Sequence, residues 1–324
     1  MKKVLITGGA GFIGSHLAER CVAEGIEVVA VDDLSTGRLE NLRPVEDSPL
    51  FHFHEGDIRR EGVLESALNG CDTIVHLAAR IGLKLVVQSS LATLETNVEG
   101  TESVFRAARK NRTNVLVAST SEVYGLATRI PSSEDDPITI GSPVRNRWSY
   151  AASKALDEFI ALGNHRERGV PSTVVRLFNT VGPRQSGRYG MVVPTFVSQA
   201  LSGEPLTVYG DGTQTRCFCH VRDVVGALIR LANEPSAAGH VFNLGNPVEV
   251  TINELARRVI SMAGSSSEIR YVPHSTAYGE DFEEIARRVP DITRIRSAIG
   301  FAPEFGLDDI LREVIAERST PVAV

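Results

Sequence analysis

"ITGGAGFIGSHLAE" (residues 6–19) runs from an apolar strand into an amphipathic helix, and its spacing decides the fold. Gly8, Gly11 and Gly14 stand three residues apart. In such a pattern the first glycine allows a tight turn, the second lets a pyrophosphate approach the backbone, and the third lets the helix pack closely on its strand. The helix opening here offers unpaired N–H groups and the positive end of its dipole to phosphate. A glycine pattern alone is weak. It gains force from the strand before it, the helix after it and an acid ending the next strand. That acid is Asp32 in "VVAVDDLSTG" (28–37), placed to accept from the ribose hydroxyls of an adenine dinucleotide. A carboxylate there repels a 2′-phosphate, so NAD is expected rather than NADP. Asp57 and Ile58 in "EGDIRR" (55–60) end a third strand where an adenine edge would lie, although Asp57 reads equally well as a turn residue.

Short apolar strands recur at 3–7, 27–31, 51–55, 73–77, 114–119 and 172–177, with helices between them, notably 12–24, 90–110 and 149–168. β-Branched runs alternating with amphipathic helices predict a parallel sheet covered on both faces. That is the doubly wound (Rossmann) α/β class, which binds ligands at the carboxyl ends of its strands. From about residue 178 the texture turns to short elements punctuated by Pro and Gly. The expected division is an NAD-binding domain over 1–177 and a smaller C-terminal substrate-binding lobe over 178–324. "GHVFNLG" (239–245) reads as one more strand of the main sheet, so the boundary is expected to interleave near 215–245. The acidic "SSEDDP" (132–137) reads as a solvated loop.

The 324 residues are 42% hydrophobic and 23% charged, with a net charge of −6. This is a globular composition, and the acidic balance argues against non-specific nucleic-acid binding. No stretch approaches the ~20 apolar residues of a membrane span. The opening "MKKVLITGGAGF" imitates a signal peptide for three residues, but its apolar run breaks at glycines within one strand's length. Cys21, Cys71, Cys217 and Cys219 are too few and scattered for a disulfide framework. "RCFCH" (216–220) is the one hint of metal. Read as a strand, it puts Cys217 and Cys219 on one face and His220 on the other, which fits buried packing and no metal site. A reduced, cytoplasmic protein is the expectation.

Two stretches carry chemistry. "STSEVYG" (119–125) ends a strand on Thr120 and Ser121 and follows them with Glu122, a carboxylate that a plain alcohol dehydrogenase does not need. "RWSYAASK" (147–154) holds Tyr150 and Lys154, which share one helix face. The lysine charge is expected to favour the phenolate, making Tyr150 a base toward a hydroxyl. With "TGGAGFIG", "HLAA" (76–79), "RLFNTVGPR" (176–184), "VYGDGTQTR" (208–216) and "FNLGN" (242–246), these stretches carry a resemblance over essentially the whole chain. The sequence resembles the sugar-nucleotide branch of the extended short-chain dehydrogenase/reductase family. Within that branch it looks most like UDP-glucuronate decarboxylases, which include UDP-xylose synthases and the decarboxylase domain of the bacterial bifunctional polymyxin-resistance enzyme. The closer likeness lies in "GSPVRNRWSYAASK" (141–154), "QTRCF" (214–218) and "YGEDFEEIARRVPDI" (278–292).

The resemblance implies a division of labour. Tyr150 and Lys154 would run reversible oxidation at sugar carbon 4 on NAD, held also by Gly8, Gly11, Phe12, Ile13, Gly14, Asp32, Asp57, Ile58, Leu77, Ala78 and Ala79. Thr120, Glu122 and Arg288 would join Tyr150 and Lys154 as catalytic residues, while Ser121, Arg147, Asn179, Tyr209, Gln214, Arg216 and Phe282 would hold the UDP-sugar. Phe282 and Leu85 depart from tyrosines of the polymyxin-resistance domain, which sets the sugar pocket apart. Oxidation of carbon 4 makes a ketone β to the uronate carboxylate, and β-keto acids lose CO₂ readily. The expected products are UDP-4-keto-pentose, UDP-xylose or both. Arg145, Arg147, Arg184, Arg188, Arg216, Arg222, Arg287 and Arg288 crowd the substrate half of an acidic protein, as a diphosphate and a carboxylate would require. Related enzymes also imply a homodimer through helices 90–110 and 149–168, the second bringing apolar Ala155, Phe159 and Leu162. The rival readings are an NDP-sugar 4,6-dehydratase, a UDP-glucuronate 4-epimerase and, outside enzymes, a non-catalytic NAD-binding sensor.

Overall fold

Val4 and Ile6 face one side of β1 (Lys3–Thr7) and Leu5 the other, and all three are buried. A strand apolar on both faces must be covered on both faces, and so it is in this computed structural model, which describes residues 1–127, 129–188, 190–278 and 283–319. Val4 and Ile6 pack with Leu17 of the helix Phe12–Ala23 and Leu228 of the helix Val221–Ala232. Leu5 packs with Phe105 of the helix Ser90–Asn111 and Ala161 of the helix Trp148–Arg168.

The other strands are β2 (Glu27–Asp32), β3 (Phe51–Glu55), β4 (Thr73–His76), β5 (Asn114–Thr120) and β6 (Ser172–Leu177), each expected from the sequence. With the returning strand Val241–Leu244 they form a seven-stranded parallel sheet in the order β3-β2-β1-β4-β5-β6-(241–244). β3, "FHFHE", lies at the edge, where Phe51 is buried and His52 and Glu55 are exposed. An edge strand with one wet face reads as alternation rather than as an apolar run.

The returning segment carries more than the strand read from "GHVFNLG". The helix Val221–Ala232 covers the sheet, and Ile292, Ile295 and Phe301 join the same core. A separate core, with Phe196, Leu206, Leu255 and Leu311, builds the smaller lobe. The chain crosses between the two at "RCFCH", and the single strand expected there is two. Thr215–Cys217 pairs antiparallel with Glu249–Thr251, and Cys219–His220 pairs parallel with Thr180–Val181. Phe218 sits in the small-lobe core and Cys219 in the main one. His220 is buried as the helix cap, its Nδ1 accepting from the Arg222 N–H at 3.0 Å.

The "SSEDDP" loop corrects another expectation. Ser132 and Glu134 are buried, and of the three acids only Asp135 reaches well into solvent. The Ser132 N–H donates to the Val289 carbonyl (2.9 Å), and Glu134 accepts from the Asn243 N–H (2.8 Å). Glu134 and Asp136 fold inward because the backbone N–H groups of Asn243 and Ser133 donate to their carboxylates.

Candidate active site

A cleft of about 2050 Å³ opens at the carboxyl ends of the strands and continues against the smaller lobe. Every site residue expected from the sequence lies on its wall, except Phe282, which falls outside the described residues. Among the eight arginines named from the sequence, Arg147, Arg184, Arg188, Arg216 and Arg288 line the cleft. Arg145, Arg222 and Arg287 instead pair with Glu283, Glu313 and Glu249.

At one end the backbone is left bare. A Cβ on Gly8, whose φ is +73°, would come within 2.8 Å of the Ala78 nitrogen, and one on Gly14 within 2.1 Å of the Gly8 carbonyl oxygen. The first contact keeps the β1 turn tight against β4, and the second seats the helix on its strand. Asp32 ends β2 with its carboxylate accepting from the Ala10 N–H (3.0 Å) and the Leu34 N–H (2.8 Å). Burial raises its pKa and these two donors pull it back. Asp57 takes its turn role, accepting from the Arg59 N–H (2.9 Å) and guanidinium (2.7 Å), while still lining the cleft. Bare glycines at a helix N-terminus and an acid at the end of β2 fit a dinucleotide.

At the other end β5 stops at Thr120, whose Oγ1 accepts the Glu122 N–H (3.3 Å) and starts the 3₁₀ turn Ser121–Tyr124. That turn delivers Glu122 to two guanidiniums, Arg147 at 3.4 Å and Arg288 at 3.2 Å. Arg288 comes from a stretch readable as a solvated loop, yet its side chain is only 17% exposed. Tyr150 and Lys154 stand on the first turns of the helix Trp148–Arg168. The charge balance here differs from expectation. Lys154 Nζ is buried against Asp157 at 2.7 Å, so the lysine is matched by its own acid. Burial raises the Tyr150 phenol most and Glu122 adds to it, while the Thr120 hydroxyl and Arg288 act the other way. Asp157 was missed, though its i+3 spacing from Lys154 was a signal in plain sight.

Toward the smaller lobe, Asn179 Nδ2 donates to the Cys217 carbonyl (2.9 Å) and Gln214 Nε2 to the Tyr209 carbonyl (2.9 Å). Arg216 is buried and paired with Glu284. Burial and Arg288 together lower its pKa to about 10. Arg184 links the smaller lobe to the dinucleotide end: its backbone N–H donates to Glu317 (2.6 Å), and its guanidinium meets Ser15 (3.2 Å), the Asn41 carbonyl (3.3 Å) and Glu19. Among the described residues no cluster of His, Cys, Asp and Glu could hold a metal ion, and no helix is long and apolar enough to cross a membrane.

Comparison with known proteins follows the same lines. The chain is 41% identical over 316 residues to a UDP-N-acetyl-alpha-D-glucosaminuronate decarboxylase of Bacillus cytotoxicus, covering 97% of each chain. It is 37% identical to UDP-glucuronic acid decarboxylase 1 of Danio rerio, covering 97% of this chain and 72% of that one. Its fold superposes with a TM-score of 0.86 on a dTDP-glucose 4,6-dehydratase of Bacillus anthracis in complex with NAD, at 28% identity, over 98% of this chain and 97% of the other. Residues 4–245 match the pattern of the NAD dependent epimerase/dehydratase family, and with the glycine turn, the Tyr150–Lys154 pair and the parallel sheet in place, the chain belongs to that family.

Proposed function

We propose that this enzyme is an NAD-dependent decarboxylase of UDP-glucuronate, working through a 4-keto intermediate. The observation that carries the reading is Glu122 meeting Arg147 and Arg288 a short reach from Tyr150, inside a cleft long enough for a dinucleotide and a nucleotide sugar. Bound NAD supplies the acceptor for the hydrogen leaving sugar carbon 4. Tyr150 takes the proton of the carbon 4 hydroxyl; burial and Glu122 raise its phenol, and Thr120 and Arg288 offset part of that rise. Lys154, fixed by Asp157, holds the helix face on which Tyr150 stands. The ketone so formed is β to the carboxylate, so the bond between carbons 5 and 6 breaks and its electron pair passes into the carbonyl as an enolate. Arg288 and Arg147 steer the carboxylate, and Glu122 delivers a proton to carbon 5 directly or through a water. Asn179 and Arg216 hold the diphosphate, for which a guanidinium fork is suited.

A 4,6-dehydratase handles a neutral hydroxymethyl group, which gives two arginines nothing anionic to meet, whereas a UDP-glucuronate 4-epimerase keeps the carboxylate and is told apart by its product. A sensor has no use for an intact Tyr150–Lys154 pair. A second sugar is favoured by one observation, since the Bacillus cytotoxicus relative is named for a 2-acetamido uronate. The carbon 2 substituent takes no part in the oxidation or in CO₂ loss, so both sugars share one mechanism. The test is kcat/KM for UDP-glucuronate and UDP-N-acetylglucosaminuronate, with products identified by NMR. A pentose nucleotide from UDP-glucuronate is expected. UDP-galacturonate with its carboxylate intact would establish the epimerase instead.

The working unit proposed is a homodimer in the cytoplasm. Phe159 is 65% exposed and Leu156 48% exposed on the helix Trp148–Arg168, with Leu91 67% exposed on the neighbouring helix, an apolar face that a second copy would cover. Ala155 and Leu162 pack within their own chain, so Phe159 is what remains of the trio read from the sequence. Cys21, Cys71, Cys217 and Cys219 are all free and buried, as a reducing compartment permits.

A further inference from the structure

Asn243 lies in the returning strand Val241–Leu244 with no solvent exposure, and the chemistry above does not use it. Its side chain gathers three segments. Oδ1 accepts from the Tyr124 hydroxyl at 2.6 Å. Nδ2 donates to the carbonyls of Ser132 (2.9 Å) and Asp291 (3.2 Å). Tyr124 closes the same 3₁₀ turn that delivers Glu122. Asp291 follows Arg288 by three residues, in a strap bound to Ser132 through the Val289 carbonyl and the Asp291 N–H, both at 2.9 Å. One buried amide therefore touches the segment behind Glu122 and the segment behind Arg288.

We infer that Asn243 is a positioning residue that sets the Glu122–Arg288 contact by fixing both carrying segments against a single amide. The inference rests on the decarboxylase reading of those two residues. Two physical points support it. The contact itself is a 3.2 Å pair between partly exposed side chains, an arrangement too weak to hold irregular backbone in place. Tyr124 also has nowhere else to turn, because its ring packs against Phe178 and under the Arg176 guanidinium, 4.7 Å from the ring centre. Arg176 is in turn forked onto buried Glu158 at 2.9 and 2.7 Å. The amide's donors and acceptor are thus the adjustable part of an otherwise rigid wall, and removing them frees the two segments independently.

The experiment is a double-mutant cycle read on two steps of one reaction, cofactor reduction and CO₂ release. Asn243→Ala should keep NAD affinity and cofactor reduction by UDP-glucuronate within a few-fold, while CO₂ release falls on the order of 10–100-fold, the scale of a sub-ångström to 1 Å misplacement. In an Arg288→Lys background, which keeps the charge and loses the fork, the same substitution should cost no more than about twofold, because the contact it sets is already spoiled. Equal losses in both steps, or full additivity with Arg288→Lys, would overturn the positioning role. If Asn243→Ala does not fold, Tyr124→Phe carries the test. It removes only the hydroxyl, and CO₂ release should drop while cofactor reduction holds; parallel loss of both overturns the inference. An Arg288→Lys enzyme that releases CO₂ at the unmodified rate would refute the decarboxylase role of Arg288, and the inference with it.

Discussion

In the proposed reaction, Glu122 is the residue that separates this site from one that only moves hydrogen at carbon 4. Glu122→Gln keeps the shape and removes the exchangeable proton, so NAD and UDP-glucuronate should still bind. CO₂ release should fall by the ~10²–10⁴-fold typical of a positioned acid–base group. Stopped-flow absorbance and CO₂ capture, run together, check this. Unchanged release would make Glu122 structural. Tyr150→Phe should act one step earlier and abolish cofactor reduction. Asp32 makes a further prediction at the other end of the cleft. If its carboxylate faces the place of a 2′-phosphate, as proposed, the protein should bind NAD more tightly than NADP by calorimetry, and Asp32→Ala should erode the difference. Tighter binding of NADP by the unmodified protein would contradict it. Local spacing made the glycine turn and the Tyr150–Lys154 pair legible, because each sits within one strand–helix unit. The contact of Glu122 with Arg288 spans 166 positions and no local pattern encodes it. Resemblance named both residues as catalytic, but nothing in the sequence brought them together. The Lys154–Asp157 pair lay in reach of helical spacing and shows how a neighbouring acid can cancel a charge read in isolation.

Between elements, buried side chains stitch the sheet where periodicity says nothing. His76 at the end of β4 meets Thr7 of β1 at 2.7 Å and Thr101 of the helix Ser90–Asn111 at 3.1 Å. Burial and the nearby Lys154 lower its pKa to about 3, so it stays neutral in the fold. The unfolded chain protonates it near 6.5. Between those values the unfolded state binds the extra proton, so this contribution to stability is complete above the unfolded value and is lost as pH falls. Urea unfolding from pH 6 to pH 4 should therefore show a steeper loss for the natural protein than for His76→Gln, by about one proton. Equal slopes would mean that His76 is protonated in the fold. Helix faces make the other prediction at this scale. Phe159→Glu should convert a light-scattering mass of two chains into one of 35.0 kDa at micromolar concentration. A natural protein already at one chain would refute the dimer. The six strands and three long helices were legible because each buries a continuous stripe. The helix Val221–Ala232 was hidden within a segment read only as a return, and "SSEDDP" misled because charge was taken for exposure.

At the scale of the molecule, the chain makes two cores and crosses between them more than once, at Phe218–Cys219 and again when Ile292 rejoins the sheet. That weaving is what brings Arg288, late in the chain, over the end of β5. Composition and texture suggest a change near residue 178, but crossings are set by long-range pairing that no window of sequence contains. In the proposed reaction, this architecture turns an oxidation at carbon 4 into the loss of carbon 6. The direct measurement is incubation of the protein with NAD and UDP-glucuronate labelled at its carboxyl carbon, followed by capture of released gas and mass analysis of the nucleotide. The account predicts label in CO₂ and none in the nucleotide product. Label retained in a turned-over nucleotide sugar would contradict it.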